Sequence, residues 1–353
     1  MNSLPSKKPG EDTIREIRQQ PETWRDTVSR VCATGMGPLP DAVITGAGTS
    51  AYAGMAVASA WPGSIAIGTT ELFLDFREPL TERKLVVSLA RSGNSPESVA
   101  VVEKIQKAMP EVRHIAVTCN AEGKLAGWKG VEAIVLSPLT NDRSLAMTSS
   151  FSNLVLGGTC LARLEEVETA LPALCEGGET ILAEHEATAK ELAAAPPARM
   201  VVLASAPLFG AARESCLKTL EMTSGRIATM PETYLGLRHG PMSFIQPDTL
   251  VVCYISSDPK RRRYEMDLVK ELREKKIGRL VALAPEGAEK ALFDVVISTA
   301  ASSLPDYLRT PAEIVFAQLL AYHFSLGFGL DPDNPSPDGV INRVVQGVHI
   351  YED

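Results

Sequence analysis

The sequence predicts an α/β protein built from two parallel sheets, each wrapped by helices. Three observations carry that prediction. Short β-branched runs alternate with helical stretches along most of the chain. The alternation begins again after the Pro-rich string AAAPPAR, near residue 195. One stretch of the second half, LVVCYISSDPKRRRY, resembles LVVSLARSGNSPESV of the first, with Val251 and Val86 at matching places, so the chain reads as an internal duplication. Its 353 residues suffice for two domains of ordinary size without a disulfide or metal staple.

The elements follow in order. Residues 11–33 carry apolar positions at helical spacing, with Thr13 or Asp12 as the cap and Pro21 as an interruption, so residues 1–35 read as an N-terminal helical arm. The first α/β half, 36–195, predicts strands at DAVITG, KLVVSLA, HIAVT and EAIVL, helices from Ser50 and Ser95, a short helix after HIAVT, and a long helical region from about Ala146 to Ala195. The second half, 196–353, predicts strands at RMVVLASA, TLVVCYI, RLVALA and DVVIS, helices from about Leu208 and at Asp258, and a helix from Pro311 to about Phe328. The tail after it is rich in Pro, Asp and Gly, with a last strand over VVQGVHIY covering the site.

Composition narrows the function classes. Lys and Arg number 35 against 43 Asp and Glu, a formal net charge of −8 spread along the whole chain, which argues against a nucleic-acid or anionic-membrane partner. The six cysteines lie far apart with no CxxC pair, and most sit in apolar runs as small hydrophobes, which fits a reducing cytoplasm. The N-terminal string MNSLPSKKPGEDT lacks the apolar stretch of a signal peptide. The expectation is a cytoplasmic protein acting on a small molecule.

Two loops of the first half are suited to an anion. The first predicted strand ends in Gly46-Ala47-Gly48-Thr49-Ser50, where hydroxyls and free N–H groups meet the positive end of a helix. It lacks the glycine spacing and acidic ribose partner of a dinucleotide site. The strand LVVSLA runs into Arg91-Ser92-Gly93-Asn94-Ser95-Pro96, with Ser95 as helix cap and Pro96 at the first helical position. Both loops leave the carboxyl ends of parallel strands, so they converge on one crevice and offer several donors to a phosphate monoester. The matching loop of the second half, Ser256-Ser257-Asp258-Pro259, puts a carboxylate where Ser95 stands, and a carboxylate repels a phosphate dianion. The run Lys260-Arg261-Arg262-Arg263 reads as a solvated helix face.

The second half carries candidate chemistry. Glu214, Lys218 and Glu221 are spaced four and three apart and share one helical stripe. Downstream, Arg238-His239-Gly240-Pro241 forms a turn that fixes one of only five histidines. An imidazole able to take the proton of an anomeric hydroxyl near neutral pH, and a carboxylate able to shuttle a proton at C2, are the parts needed to open a sugar ring and isomerise it. That chemistry needs no metal.

On these strings, GAGTS, SLARSGNSPES, LTNDRSLAMTSSF, the helix of Glu214, Lys218 and Glu221, YLGLRHGPMSFI, SSDP and NPSPDGVINRVVQGV, the chain resembles the double sugar-isomerase (SIS) proteins. The branch it is most similar to is tagatose-6-phosphate ketose/aldose isomerase, or galactosamine-6-phosphate deaminase (AgaS), and the likeness runs from about Thr13 to Tyr351. The resemblance implies two tandem flavodoxin-like, Rossmann-like αβα subdomains and a homodimer or higher homo-oligomer with shared sites, acting on hexose 6-phosphates without cofactor or metal. It implies phosphate binding by Ser50, Arg91, Ser92 and Ser95, and a sugar site lined by Gly48, Thr49, Thr148, Ser149 and Gln346. It further implies Glu221 as proton shuttle, with Glu214 and Lys218 beside it, and His239 as ring opener, given by the neighbouring subunit in the related glucosamine-6-phosphate synthase. Gln346 stands where that synthase has its Schiff-base lysine, so no imine to the protein is expected. The chain also starts without a Cys nucleophile, so the ammonia-releasing direction is expected rather than amination from glutamine.

The reaction expected is therefore galactosamine 6-phosphate to tagatose 6-phosphate plus ammonia. The alternatives are a glucosamine-6-phosphate deaminase, a simple aldose/ketose phosphate isomerase, a deglycase that releases an amino acid, and a sugar-phosphate sensor without turnover.

Overall fold

The computed structural model describes residues 7–345 and 347–351. Helices α1 (Glu11–Arg18) and α2 (Gln20–Ala33) form the N-terminal arm. The first half comprises β1 (Val43–Gly46), α3 (Thr49–Ala60), β2 (Ile65–Gly68), the short α4 (Thr69–Leu74) and α5 (Arg77–Glu82), β3 (Leu85–Ala90), α6 (Pro96–Ala108), β4 (Arg113–Thr118) and β5 (Val131–Val135). A long helix α7 (Ser149–Thr180), broken at Arg163, passes through a wider turn into α8 (Glu186–Ala193). The second half then follows: β6 (Arg199–Ala204), α9 (Phe209–Met222), β7 (Ala228–Glu232), α10 (Tyr234–Leu237), β8 (Leu250–Tyr254), α11 (Pro259–Glu274), β9 (Arg279–Leu283), β10 (Val295–Ile297) and α12 (Asp306–Gly327).

Each half is a five-stranded sheet, in the orders β2-β1-β3-β4-β5 and β7-β6-β8-β9-β10. All pairings are parallel, and the two orders are one pattern used twice. The central strands are continuous apolar runs because helices cover both their faces; every residue of β3 and β8 is buried. Inward-facing Val87, Leu89, Val202 and Leu283 join residues of α7, α9 and α12 in one core that runs through both halves. Each outer face has its own smaller core, under α6 in the first half and under α11 in the second. The halves touch closely where α9 crosses α3. A Cβ on Gly210 would lie 2.8 Å from the Tyr52 carbonyl oxygen and 2.9 Å from the Ala56 nitrogen, so only glycine permits this approach.

Several expectations need correction. The edge strands β2 and β7 carry no clear period in the sequence, because an edge strand is half-exposed and β7 even accommodates Pro231. Residues 119–130 form turns where a short helix was expected. The last helix starts at Asp306, and Pro311 sits within its second turn. Among the described residues, the stretch 344–351 forms no strand. Neither Thr13 nor Asp12 caps α1. Gly10 takes the cap position in a left-handed conformation, and the cap is supplied from the far end of the chain. The Asp333 carboxylate accepts from the Asp12 N–H at 3.1 Å and from the Thr13 N–H and hydroxyl at 2.8 Å, while Asp331 accepts from the Gly10 N–H at 2.7 Å. The C-terminal segment is thereby fastened to the N-terminal arm. Asp333→Ala should lower stability by about 1–2 kcal/mol in urea unfolding. It should also speed proteolysis of the arm; an arm cleaved no faster than in the wild type would refute the clasp.

His114 of β4 lies inside the sheet's outer core, 2% exposed, and among the described residues neither ring nitrogen has a hydrogen-bond partner. Burial pushes its pKa down to about 4. The unfolded chain, with an ordinary histidine near 6.5, takes up the proton first, so stability falls as the pH drops from about 6.5 towards 4. The full loss is up to roughly 3 kcal/mol. Calorimetry of His114→Leu between pH 7 and 4 should show a flatter decline in Tm than the wild type; parallel curves would assign the acid sensitivity to other groups.

Candidate active site

The two loops singled out in the first half leave the carboxyl ends of neighbouring strands β1 and β3, where the strand order reverses. Gly48 makes the first turn possible with φ 55° and ψ −127°, a backbone open to glycine and closed to other residues. The amino ends of α3 and α6 both face a cleft of about 370 Å³. Its walls include Gly48, Thr49, Ser50, Arg91, Ser92, Ser95 and, from the second half, Glu221. Ser95 stands at the cap position of α6 but makes no side-chain cap bond, so its hydroxyl remains available to a ligand. Arg91 is 6% exposed and is held from behind, donating to the carbonyls of Leu145 at 3.0 Å and Ser144 at 3.3 Å.

Glu221 is delivered by α9 across the boundary between the halves. Lys218, one turn earlier and fully buried, donates to Glu221 Oε2 at 2.5 Å and to the Thr49 hydroxyl at 3.0 Å, and lies 3.3 Å from Glu214 Oε1. Thr49 in turn donates to Glu214 Oε1 at 3.2 Å. Burial raises the Glu214 carboxyl to about 8 against the pull of Lys218. For Lys218 burial acts the other way, but the two carboxylates outweigh it and its pKa is raised. A lysine taken wholly out of water is tolerable only because it is flanked in this way. Among the described residues Glu221 Oε1 accepts no hydrogen bond, so one carboxylate oxygen is fixed and the other is open on the cleft.

Three expected site residues stand elsewhere. Thr148 and Ser149 are buried beneath the wall: the Asp142 carboxylate takes the Thr148 N–H at 2.8 Å and the Ser149 hydroxyl at 2.6 Å. Leu145 and Met147 of the same loop line the cleft in their place. His239 is exposed and is not a wall residue; its turn is pinned to α11 by Arg238, which pairs with Asp267 at 2.9 Å and Glu271 at 2.7 Å. Gln346 lies outside the described residues. Wall residues that the sequence reading gave no role include Ser98 and Arg343. Ser98 follows Ser95 by three and so shares its helix face, which is a readable signal. Arg343 arrives with residues 340–345 of the C-terminal segment, which roof the cleft, and nothing local marks it.

The corresponding loop of the second half is already filled. Asp306 accepts from the Ser257 N–H at 2.7 Å and hydroxyl at 3.0 Å and from the Ser256 hydroxyl. Arg309 holds Asp306 at 3.1 Å and Glu313 at 2.7 Å behind it. Asp258 caps its own helix through the N–H groups of Lys260 and Arg261, both at 2.9 Å. Among the described residues no group of three or more His, Cys, Asp or Glu side chains is placed to hold a metal ion, and no helix is long and apolar enough to cross a membrane.

No family model matches the chain. Relatives and solved structures do. The chain is 38% identical over 96% of its length, and 95% of the relative's, to a Streptomyces coelicolor protein provisionally named D-galactosamine-6-phosphate deaminase AgaS. A Shewanella protein named D-galactosamine-6-phosphate deaminase AgaS is 36% identical, over 96% of this chain and 91% of its own. The crystal structure of tagatose-6-phosphate ketose/aldose isomerase from Escherichia coli superposes with a TM-score of 0.84 at 31% identity, covering 93% of this chain and 98% of that one. With a duplicated parallel α/β architecture, a cleft suited to an anion and relatives matched over 96% of its length, the chain belongs to the AgaS family of D-galactosamine-6-phosphate deaminases, within the SIS phosphosugar isomerase fold.

Proposed function

We propose that the protein converts galactosamine 6-phosphate to tagatose 6-phosphate and ammonia. The observation that carries this reading is the meeting of two unlike surfaces in one cleft: hydroxyls and a guanidinium from the first half, and an open carboxylate oxygen from the second. Ser50, Arg91, Ser92 and Ser95, with two helix amino ends behind them, bind the phosphate dianion. The sugar then extends towards Glu221. His239 opens the ring from a neighbouring copy of the chain, since on its own subunit it stands outside the cleft walls. Glu221 takes the C2 proton to give an enolamine and returns it to C1. The imine left at C2 adds water and expels ammonia, leaving the ketone. Lys218 stabilises negative charge as it moves between Glu221 and the substrate. A homodimer in the cytoplasm is the setting this implies, supported by six unpaired cysteines, five of them buried.

Ammonia release from galactosamine 6-phosphate, with glucosamine 6-phosphate as the comparison, tests the reaction. Glu221→Gln should lower kcat by about 10²–10⁴-fold while KM changes little. Sugar interconversion without ammonia would leave a plain isomerase. Thr49→Val should also lower kcat, roughly tenfold or more, by leaving Lys218 one hydrogen bond short, and Thr49→Ser should restore it. Mixing two inactive variants, Glu221→Gln and His239→Asn, tests the shared site: reassembled mixtures should regain up to about a quarter of wild-type activity. Mixtures that stay inactive would confine each site to one chain.

A further inference from the structure

Arg343 belongs to the C-terminal segment, far in sequence from both halves of the site, yet it lines the cleft with Arg91. Its hydrogen bonds go to neutral oxygens only. Nε donates to the Asp142 carbonyl at 2.9 Å, and Nη2 to that carbonyl at 2.5 Å and to Asn141 Oδ1 at 2.8 Å. Arg91 is in the same condition: its acceptors are the carbonyls of Ser144, Leu145 and Arg343, the last at 2.5 Å. Two guanidinium groups thus line one cleft, Arg91 from the sheet side and Arg343 from the C-terminal segment, and among the described residues neither forms an ion pair with a carboxylate. Burial first, and the charge of Arg343 second, lower the Arg91 pKa. Asp142 and Glu221 pull the other way, but neither pairs directly with the two guanidinium groups, whose donors are left to oxygens weaker than those of a doubly charged ligand.

We propose that Arg343 is a second guanidinium ligand of the substrate's phosphate group, carried on the C-terminal segment, and that it sets the site's requirement for a phosphorylated sugar. The assignment rests on the phosphate-cleft reading above and deepens it. Arg91 grips the anion from the sheet side and Arg343 from the roof, so a phosphate that bridges them also fastens residues 340–345 over the substrate. An unphosphorylated amino sugar leaves the two charges facing each other and the roof unfastened.

The test uses the full chain and calorimetric titration with inorganic phosphate and with glucitol 6-phosphate, which cannot react. Arg343→Gln should weaken both by about tenfold, and Arg343→Lys should recover part of the loss by restoring the charge. On galactosamine 6-phosphate, KM should rise more than kcat falls. Asn141→Ala removes a tether of the segment without touching the charge and should stay within about twofold of wild type in phosphate affinity. Phosphate affinity of Arg343→Gln within that range, or an equal loss in Asn141→Ala, would overturn the assignment and reduce Arg343 to a tether. A wild-type chain that binds neither anion would overturn the cleft reading itself.

Discussion

The site depends on one buried cation. Lys218 is the point at which the second half holds on to the first: it reaches Thr49 at the start of α3 while it pins Glu221 one turn further along its own helix. The cleft is lined from both halves, the β1 and β3 loops coming from one and Glu221 from the other. The junction tolerates no slippage, since an ammonium ion without its oxygen partners in that interior is strongly unfavourable. The close crossing of α9 over α3 at Gly210 serves the same end, bringing the two backbones near enough for a lysine to span them. The contact that joins the halves therefore also positions the Glu221 carboxylate relative to the β1 and β3 loops.

A second constraint comes from carboxylates used as backbone organisers. Asp142 gathers the amino end of α7 through Thr148, Ser149 and Ser150, and Glu16 reaches from the N-terminal arm to the N–H groups of Arg143 at 2.6 Å and Ser144 at 3.4 Å. The loop between them presents the carbonyls that hold Arg91 and Arg343. Burial, with Asp142 close by, raises Glu16 to about 7, so the arm's grip on this loop is sensitive to mild changes of pH. The arm, remote from the cleft in sequence terms, is thus part of its support.

Much of this was legible in the chain. The central strands announce themselves as apolar runs, the duplication fixes the second sheet by analogy with the first, and Gly48, Ser50, Arg91 and Ser95 are readable because a helix start after a strand is a local event. The stripe of Glu214, Lys218 and Glu221 is equally local. What escaped is non-local or too exposed to pattern. The edge strands lack a buried face to impose a period, Thr148 and Ser149 are claimed by a carboxylate six and seven residues earlier, and the α1 cap comes from Asp333. Arg343 joins the site through tertiary contacts that no spacing rule encodes. His239 presents the opposite case: the sequence singles it out, and the structure leaves it exposed and off the cleft walls of its own chain.

The carboxylate of Asp306 in the second loop has a consequence for what the duplication leaves open. A repeated architecture offers two geometrically equivalent loop sites, and the first of them lies beside Glu221. By seating an acid from its own last helix on Ser256 and Ser257, backed by Arg309, the chain keeps one berth permanently occupied. The second loop is thereby filled from within the chain, and the spare copy serves as scaffold.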